Sequence, residues 1–343
     1  MTKEKLKKPV ILITGIAGLL GSHLADVFIR DGHKVIGVDS LIGGYMDNIN
    51  PRVKFYKQDC RNLEKMKEIM KGVDIVYHCA ATAYEGLSVF SPYFITNNIV
   101  NASVSTMTAA VINNVEKFIY CSSMARYGKN KVPFTEDMQP KPEDPYGVGK
   151  YAGEMILKQL SETNDMKYVI VVPHNIIGTR QKYNDPYRNV AAIMINLMLQ
   201  GRQPIIYGDG EQKRCFSFVQ DNAKILKQIA FTNHSEIVNG IINVGPDEEF
   251  ITINHLAKTI ADIIGFDLNP KYLPGRPREV KEANCSADKA RKYLDYKTKH
   301  FLREGLSEMI NWIKKRGVKD FEYHLPLEIN NNKTPKSWKD KIF

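Results

Sequence analysis

Seven residues near the start of the chain, Gly15-Ile16-Ala17-Gly18-Leu19-Leu20-Gly21, constrain its fold more than any other feature. They follow an apolar, β-branched run at 10–14 and open a segment of helical spacing. The next apolar run ends at Val38-Asp39, 18 residues past the last glycine. Glycines so placed let the backbone turn tightly and approach a pyrophosphate, whose charge then meets the unpaired N–H groups at the helix start. An acid at the end of the second strand accepts hydrogen bonds from an adenosine ribose and repels the additional phosphate of NADP; Ser40 and Leu41, and no arginine, come next. A glycine triplet alone also serves plain packing. In the order strand, turn, helix, strand, acid it predicts a βαβ unit that binds NAD.

Further runs at 34–38, 53–56, 75–78, 117–121 and 168–172 read as strands, and those of the first third each precede a helical pattern. That alternation predicts an α/β fold, a doubly wound parallel Rossmann sheet with helices on both faces. Asp144-Pro145 has the form of a helix start, Asp as N-cap and Pro at the first helical position. After about residue 175 short strands, helices and Gly/Pro loops mix, which predicts a smaller α/β lobe. The expected organisation is an NAD-binding domain at 9–175, a substrate lobe at 176–329 from which some chain returns to the first domain, and a loosely held tail at 330–343.

Charge and cysteine usage exclude several classes. Among 343 residues, 48 Lys and Arg against 38 Asp and Glu give +10. Residues 1–8 hold +3 of this, through Lys3, Lys5, Lys7 and Lys8 against Glu4, and 311–343 hold +4. Solvated basic ends account for most of the excess, leaving +3 for the body, without a nucleic-acid footprint. Lys5 to Lys8 followed by the apolar run to Leu20 imitates a secretory signal, but three spaced glycines and His23 argue against one, and no stretch approaches the roughly 18 apolar residues of a membrane helix. Cys60, Cys79, Cys121, Cys215 and Cys285 form no CxxC pair and have no metal-ligand spacing, so they read as buried thiols of a reducing cytoplasm.

Tyr146 and Lys150 fall on one helix face, where a nearby ammonium favours the phenolate and lowers the tyrosine pKa from about 10 toward that of a general base. The same spacing also occurs as an ordinary surface pair. Ser122 and Ser123 end the fifth strand, at the sheet edge where such folds bind ligands, although both also suit capping a turn.

Together with Asp59, His78-Cys79-Ala80-Ala81, Asn98, Tyr127-Gly128 and Asn175-Ile176-Ile177-Gly178, these motifs resemble the extended short-chain dehydrogenase/reductases. Within them, the chain is similar over about residues 9 to 316 to the NAD-dependent epimerase/dehydratase family, of the UDP-glucose and UDP-N-acetylglucosamine 4-epimerase type. The resemblance implies that Ser123, Tyr146 and Lys150 are catalytic. It implies cofactor contacts from Gly15, Gly18, Leu19, Leu20, Gly21 and Asp39, from Asp59 and Cys60 near the adenine, and from Ala80, Ala81, Asn98 and Ser122, with His174 on the nicotinamide side. It places Glu85, Gly86 and Ser88 toward the sugar, Asn175, Arg214 and Arg276 on the diphosphate, and Ala283 where a small residue leaves room for a 2-acetamido group.

Arg126 replaces a small apolar residue and either reaches a substrate anion or points to solvent. Met124 and Ala125 stand where the dehydratases carry Asp-Glu, which disfavours 4,6-dehydration. His78, without a chemical partner, reads as a core histidine. The implied activity is 4-epimerisation of a UDP-hexose through a 4-keto sugar with NAD held throughout. The alternatives are a 4-keto reductase, an epimerase of a GDP- or CDP-linked sugar, and a non-catalytic cofactor-sensing module. A homodimer through the helices at 92–114 and 145–162 is implied as well.

Overall fold

A computed structural model describes residues 8–343; Lys3, Lys5 and Lys7 of the basic N-terminal run lie outside the described residues. Strands β1 (Ile11–Thr14), β2 (Val35–Asp39), β3 (Lys54–Lys57), β4 (Ile75–His78), β5 (Lys117–Cys121) and β6 (Lys167–Pro173) form one parallel sheet with the later strand Gly240–Val244. Its order is Gly240–Val244, β6, β5, β4, β1, β2, β3. Strands β1, β4 and β5 are buried at every position, because helices cover both faces; this is why they read as continuous apolar runs and not as alternating ones.

Helices α1 (Leu19–Arg30) and, from the distal half of the chain, Val219–Phe231 pack on one face around Phe28, Ile13 and Ile225. On the other face lie α2 (Leu63–Ile69), α5 (Ala102–Ile112) and α6 (Pro145–Asn164), around Leu12, Phe118 and Leu157. Between these helices in sequence come the short α3 (Glu85–Ser88) and α4 (Pro92–Thr96). The chain order reverses between β1 and β4, so a crevice opens at their carboxyl ends. His78 is fully buried there, bonded to Thr14 Oγ1 at 2.9 Å and Ser103 Oγ at 3.1 Å; burial pushes its pKa down to about 3, which keeps it a neutral core residue.

A second core joins the helices Val190–Leu199, Ile253–Ile264 and Leu302–Arg316, flanked by short strands that include Ile205–Tyr207, Lys213–Cys215 and Glu282–Ala283. Val219–Phe231 and Gly240–Val244 are the chain that returns to complete the first sheet. The end of the chain corrects the expected loose tail. Thr334, Ser337 and Trp338 are buried, and Trp338 Nε1 donates to the Pro186 carbonyl at 3.1 Å. An indole in contact with aromatic neighbours holds a segment that its charge alone would leave in water. Among the described residues no helix is long and apolar enough to cross a membrane, and no group of His, Cys, Asp and Glu could hold a metal ion.

Candidate active site

One cavity of about 490 Å³ runs from the β1–α1 turn to the distal lobe. Its first end is made of backbone. Gly15 has φ +72°, and a Cβ there would lie 2.8 Å from the Ala80 nitrogen; a Cβ on Gly21 would collide with the Gly15 carbonyl oxygen. Gly18 begins α1 without a side-chain cap, so the first-turn N–H groups remain free for a ligand. Gly18, Leu19 and Leu20 line this end with Asp59, Cys60, Ala80, Ala81 and Asn98. Asp39 ends β2 and accepts from Leu41 N at 2.7 Å and Ala17 N at 2.9 Å; burial raises its pKa, against the pull of those two bonds. A glycine cradle, free helix N–H groups and an acid at the end of β2 fit a dinucleotide.

At the crevice, β5 delivers Ser123 and the first turn of α6 delivers Tyr146. Asp144 caps that helix by accepting from Gly147 N at 2.8 Å, as Asp144-Pro145 implies. Gly147 is required because a Cβ would lie 2.8 Å from the Ala125 oxygen. Ser123 Oγ accepts from Ala125 N at 3.1 Å, and Ser123 and Tyr146 both line the cavity. Lys150 is buried one turn along, behind the wall, where Nζ donates to the Cys121 carbonyl at 2.7 Å. Burial pushes its pKa down to about 8. The expected lowering of Tyr146 is corrected: burial first, and the Glu85 carboxylate second, raise it, while the Ser123 hydrogen bond opposes them.

Three other placements are corrected. Arg126 neither touches the cavity nor meets solvent; its Nε donates to both Glu154 oxygens, at 2.9 and 3.0 Å, with the two side chains 2% and 0% exposed. A buried guanidinium needs an anionic partner, and α6 supplies it 28 residues away. The Ser122 hydroxyl also donates to Glu154, although Ser122 itself remains in the cavity wall. His174 turns away from the cavity and bonds the Pro246 carbonyl at 3.1 Å, leaving Pro173 and Asn175 as the wall. Ser88, the last residue of α3, is buried and lies outside the cavity wall, its hydroxyl donating back to the Glu85 carbonyl at 2.6 Å.

The far end is made of side chains. Arg214 donates to the carbonyls of Val280 at 2.6 Å and Lys213 at 2.8 Å. Arg276 pairs with Glu279 at 2.7 Å and stacks over Tyr207, 4.8 Å from the ring centroid. Glu85 opens into the lumen with Gly86 beside it; burial and the Asp144 carboxylate push its pKa up to about 7. Asn175 donates to the Cys215 carbonyl at 2.9 Å, and Ala283 lines the same end.

Sequence reasoning missed Arg188, Trp338 and Phe343, all in the cavity wall. Arg188 stacks on Tyr84 at 4.6 Å, donates to the Gly43 carbonyl at 3.0 Å, and pairs through Nε with the buried Asp185 carboxylate at 3.5 Å. For Trp338 a signal did exist, since it is one of only two tryptophans and stands in a basic tail.

Fold and site together define an NAD-binding protein of the extended short-chain dehydrogenase/reductase type. The chain belongs to the NAD dependent epimerase/dehydratase family, which its residues 11–245 match, and NAD is the cofactor. It is similar to the UDP-glucose 4-epimerase of Thermotoga maritima solved with UDP-glucose, at 33% identity and TM-score 0.83, over 90% of this chain and 99% of that one. It is equally similar, at 33% identity and TM-score 0.83 over 91% of this chain and 100% of the other, to the UDP-N-acetylglucosamine 4-epimerase of Methanobrevibacter ruminantium in complex with UDP-N-acetylmuramic acid. At 26% identity and TM-score 0.84, over 90% and 100% of the two chains, it resembles the UDP-glucuronic acid 4-epimerase of Bacillus cereus in complex with UDP-glucuronic acid and NAD.

Proposed function

We propose that the protein is a nucleotide-sugar 4-epimerase acting on a UDP-hexose. The observation that carries this reading is the wall in which Ser123 and Tyr146 share the cavity with Met124 and Ala125. It offers hydroxyls to an alcohol and has no acid–base pair at 124 and 125 to expel water from a sugar.

Gly15, Gly18, Gly21 and Asp39 would hold NAD, which when bound supplies oxidising and reducing power at C4 of the sugar. Tyr146 takes the proton of the C4 hydroxyl and later returns one, so it must begin without its own. Lys150, when charged, favours that phenolate, and Ser123 steadies the sugar oxygen by hydrogen bonding. Protonation of Glu85 removes the main charge that opposes it. Arg214 and Arg276 grip the diphosphate through planar, charge-assisted bonds, which leaves the 4-keto ring free to turn over. Ala283 in the wall supports room for a 2-acetamido group. Tyr93 on α4 and Val148 and Met155 on α6 are exposed apolar residues, which supports a homodimer through those helices. Five free cysteines agree with a reducing cytoplasm.

The test is to incubate the protein with UDP-glucose, UDP-N-acetylglucosamine and their C4 epimers, adding no cofactor, and to follow the sugars by proton NMR. Interconversion of either pair is the expected result, and the preferred pair weighs the Ala283 argument. A protein that keeps NAD but converts neither pair, and that instead consumes added NADH on a 4-keto sugar, is a reductase.

A further inference from the structure

The C-terminal segment 320–343 lies outside the residues matched by the family, and about a tenth of this chain falls outside the match to relatives that are covered almost entirely. It nevertheless crosses the substrate end of the cavity and is fastened to both halves of the molecule. Toward the NAD-binding half, His324 Nε2 bonds the Ile42 carbonyl at 3.0 Å and Ile329 N donates to the Phe90 carbonyl at 2.8 Å. Glu328 accepts from Tyr93 N at 3.0 Å and Phe94 N at 2.8 Å. Toward the distal lobe, Trp338 Nε1 donates to the Pro186 carbonyl and the Ser337 hydroxyl bonds that of Tyr207, the ring beneath Arg276.

Trp338 sits edge-on to Phe90, 6.2 Å between centroids, and tilted against Tyr187 at 5.5 Å, and it remains part of the cavity wall beside Gly86. A Cβ added to Gly86 would lie 3.2 Å from the indole Cη2 and 3.4 Å from Arg276 Nη1. The indole, the sugar-facing loop and the phosphate-facing arginine therefore meet at one point.

We propose that the C-terminal segment is a substrate-binding element, with Trp338 as a wall, next to Gly86 and Arg276, against which the nucleotide sugar packs. This inference rests on the cavity being a nucleotide-sugar site. A ligand packed on Trp338 binds only the docked state of the segment, so binding stabilises docking by linkage. The ligand chemistry is a pyranose linked to a nucleoside diphosphate: the aromatic wall takes an apolar sugar face and Arg276 the phosphates. Dinucleotide binding at the glycine end is independent of the segment.

Two measurements test this. Trypsin has Lys333, Lys336, Lys339 and Lys341 exposed on the segment, and its cleavage there is followed with UDP, with UDP-glucose, or with NAD alone. UDP-glucose should slow cleavage at least about fivefold, and NAD alone should leave it unchanged. Trp338→Ala should raise KM for the UDP-hexose about tenfold, as expected for loss of one buried aromatic contact. NAD content and kcat should be retained, with Trp338→Phe recovering most of the affinity. Cleavage unaffected by saturating UDP-glucose and UDP, together with an unchanged KM, would overturn the proposal. So would loss of bound NAD in step with KM, which marks a purely structural segment. If no UDP-hexose is turned over yet UDP or UDP-glucose still protects the segment, the binding role stands and the epimerase reading falls.

Discussion

The two ends of the cavity are built from different materials. The core of the cofactor end is glycine backbone, helix N–H groups and the Asp39 carboxylate, all within residues 15–39, with Asp59, Cys60, Ala80, Ala81 and Asn98 around it. The far end is assembled from Glu85, Arg214, Arg276 and Trp338, which come from four separate stretches of chain. A site made of backbone needs a local pattern, because only glycine tolerates the turns and close approaches. A site made of side chains needs only that distant segments arrive, and many sequences achieve that.

Tyr146→Phe separates the ends most sharply. It should lower kcat by roughly 10² to 10⁴, the usual contribution of a positioned acid–base group, while NAD content stays unchanged. Equal loss of NAD would show that the two ends are not independent. Gly21→Ala should do the reverse, abolishing NAD retention through one added carbon that meets the Gly15 oxygen. NAD recovered from denatured protein, read by absorbance, is the check.

The buried Arg126–Glu154 pair belongs to neither end, so its loss should be felt as stability. Glu154→Ala leaves an unpaired guanidinium and should cost about 3–5 kcal/mol in chemical denaturation, and Arg126→Met with Glu154→Leu should recover most of that. An undiminished kcat in the double variant would confirm that Arg126 holds no substrate.

The smallest effect concerns Glu85. Its folded pKa is raised to about 7 from 4.5, so between those values the folded chain keeps a proton that the unfolded chain releases. The stability tied to that proton is present below about pH 4.5 and lost as pH rises through 7. Glu85→Gln should therefore gain melting temperature relative to the parent as pH climbs across this window, and no further above it. A constant difference from pH 4 to 8 would remove Glu85 from the low-dielectric end of the site.

The contrast also explains what was legible. Strands β4 and β5 coincide with the apolar runs at 75–78 and 117–121, since burial on both faces leaves no other pattern. The glycine cradle, Asp39 and the capped start of α6 are local and were visible as such. Arg126, His174 and Ser88 were misplaced because their partners, Glu154, Pro246 and the α3 backbone, are set by tertiary packing that no spacing encodes. Lys150 illustrates the limit of helical spacing: it shares a face with Tyr146, yet its ammonium is directed to the Cys121 carbonyl. Trp338 was lost to composition, since the lysines and asparagines of a basic tail conceal a buried ring.

The central claim is that the sugar is oxidised and restored at C4 within one cavity. A UDP-hexose deuterated at C4 and incubated in ordinary water without added cofactor tests it most directly. The account predicts inversion at C4 with the deuterium retained in both epimers. Inversion accompanied by loss of the label to solvent would contradict it.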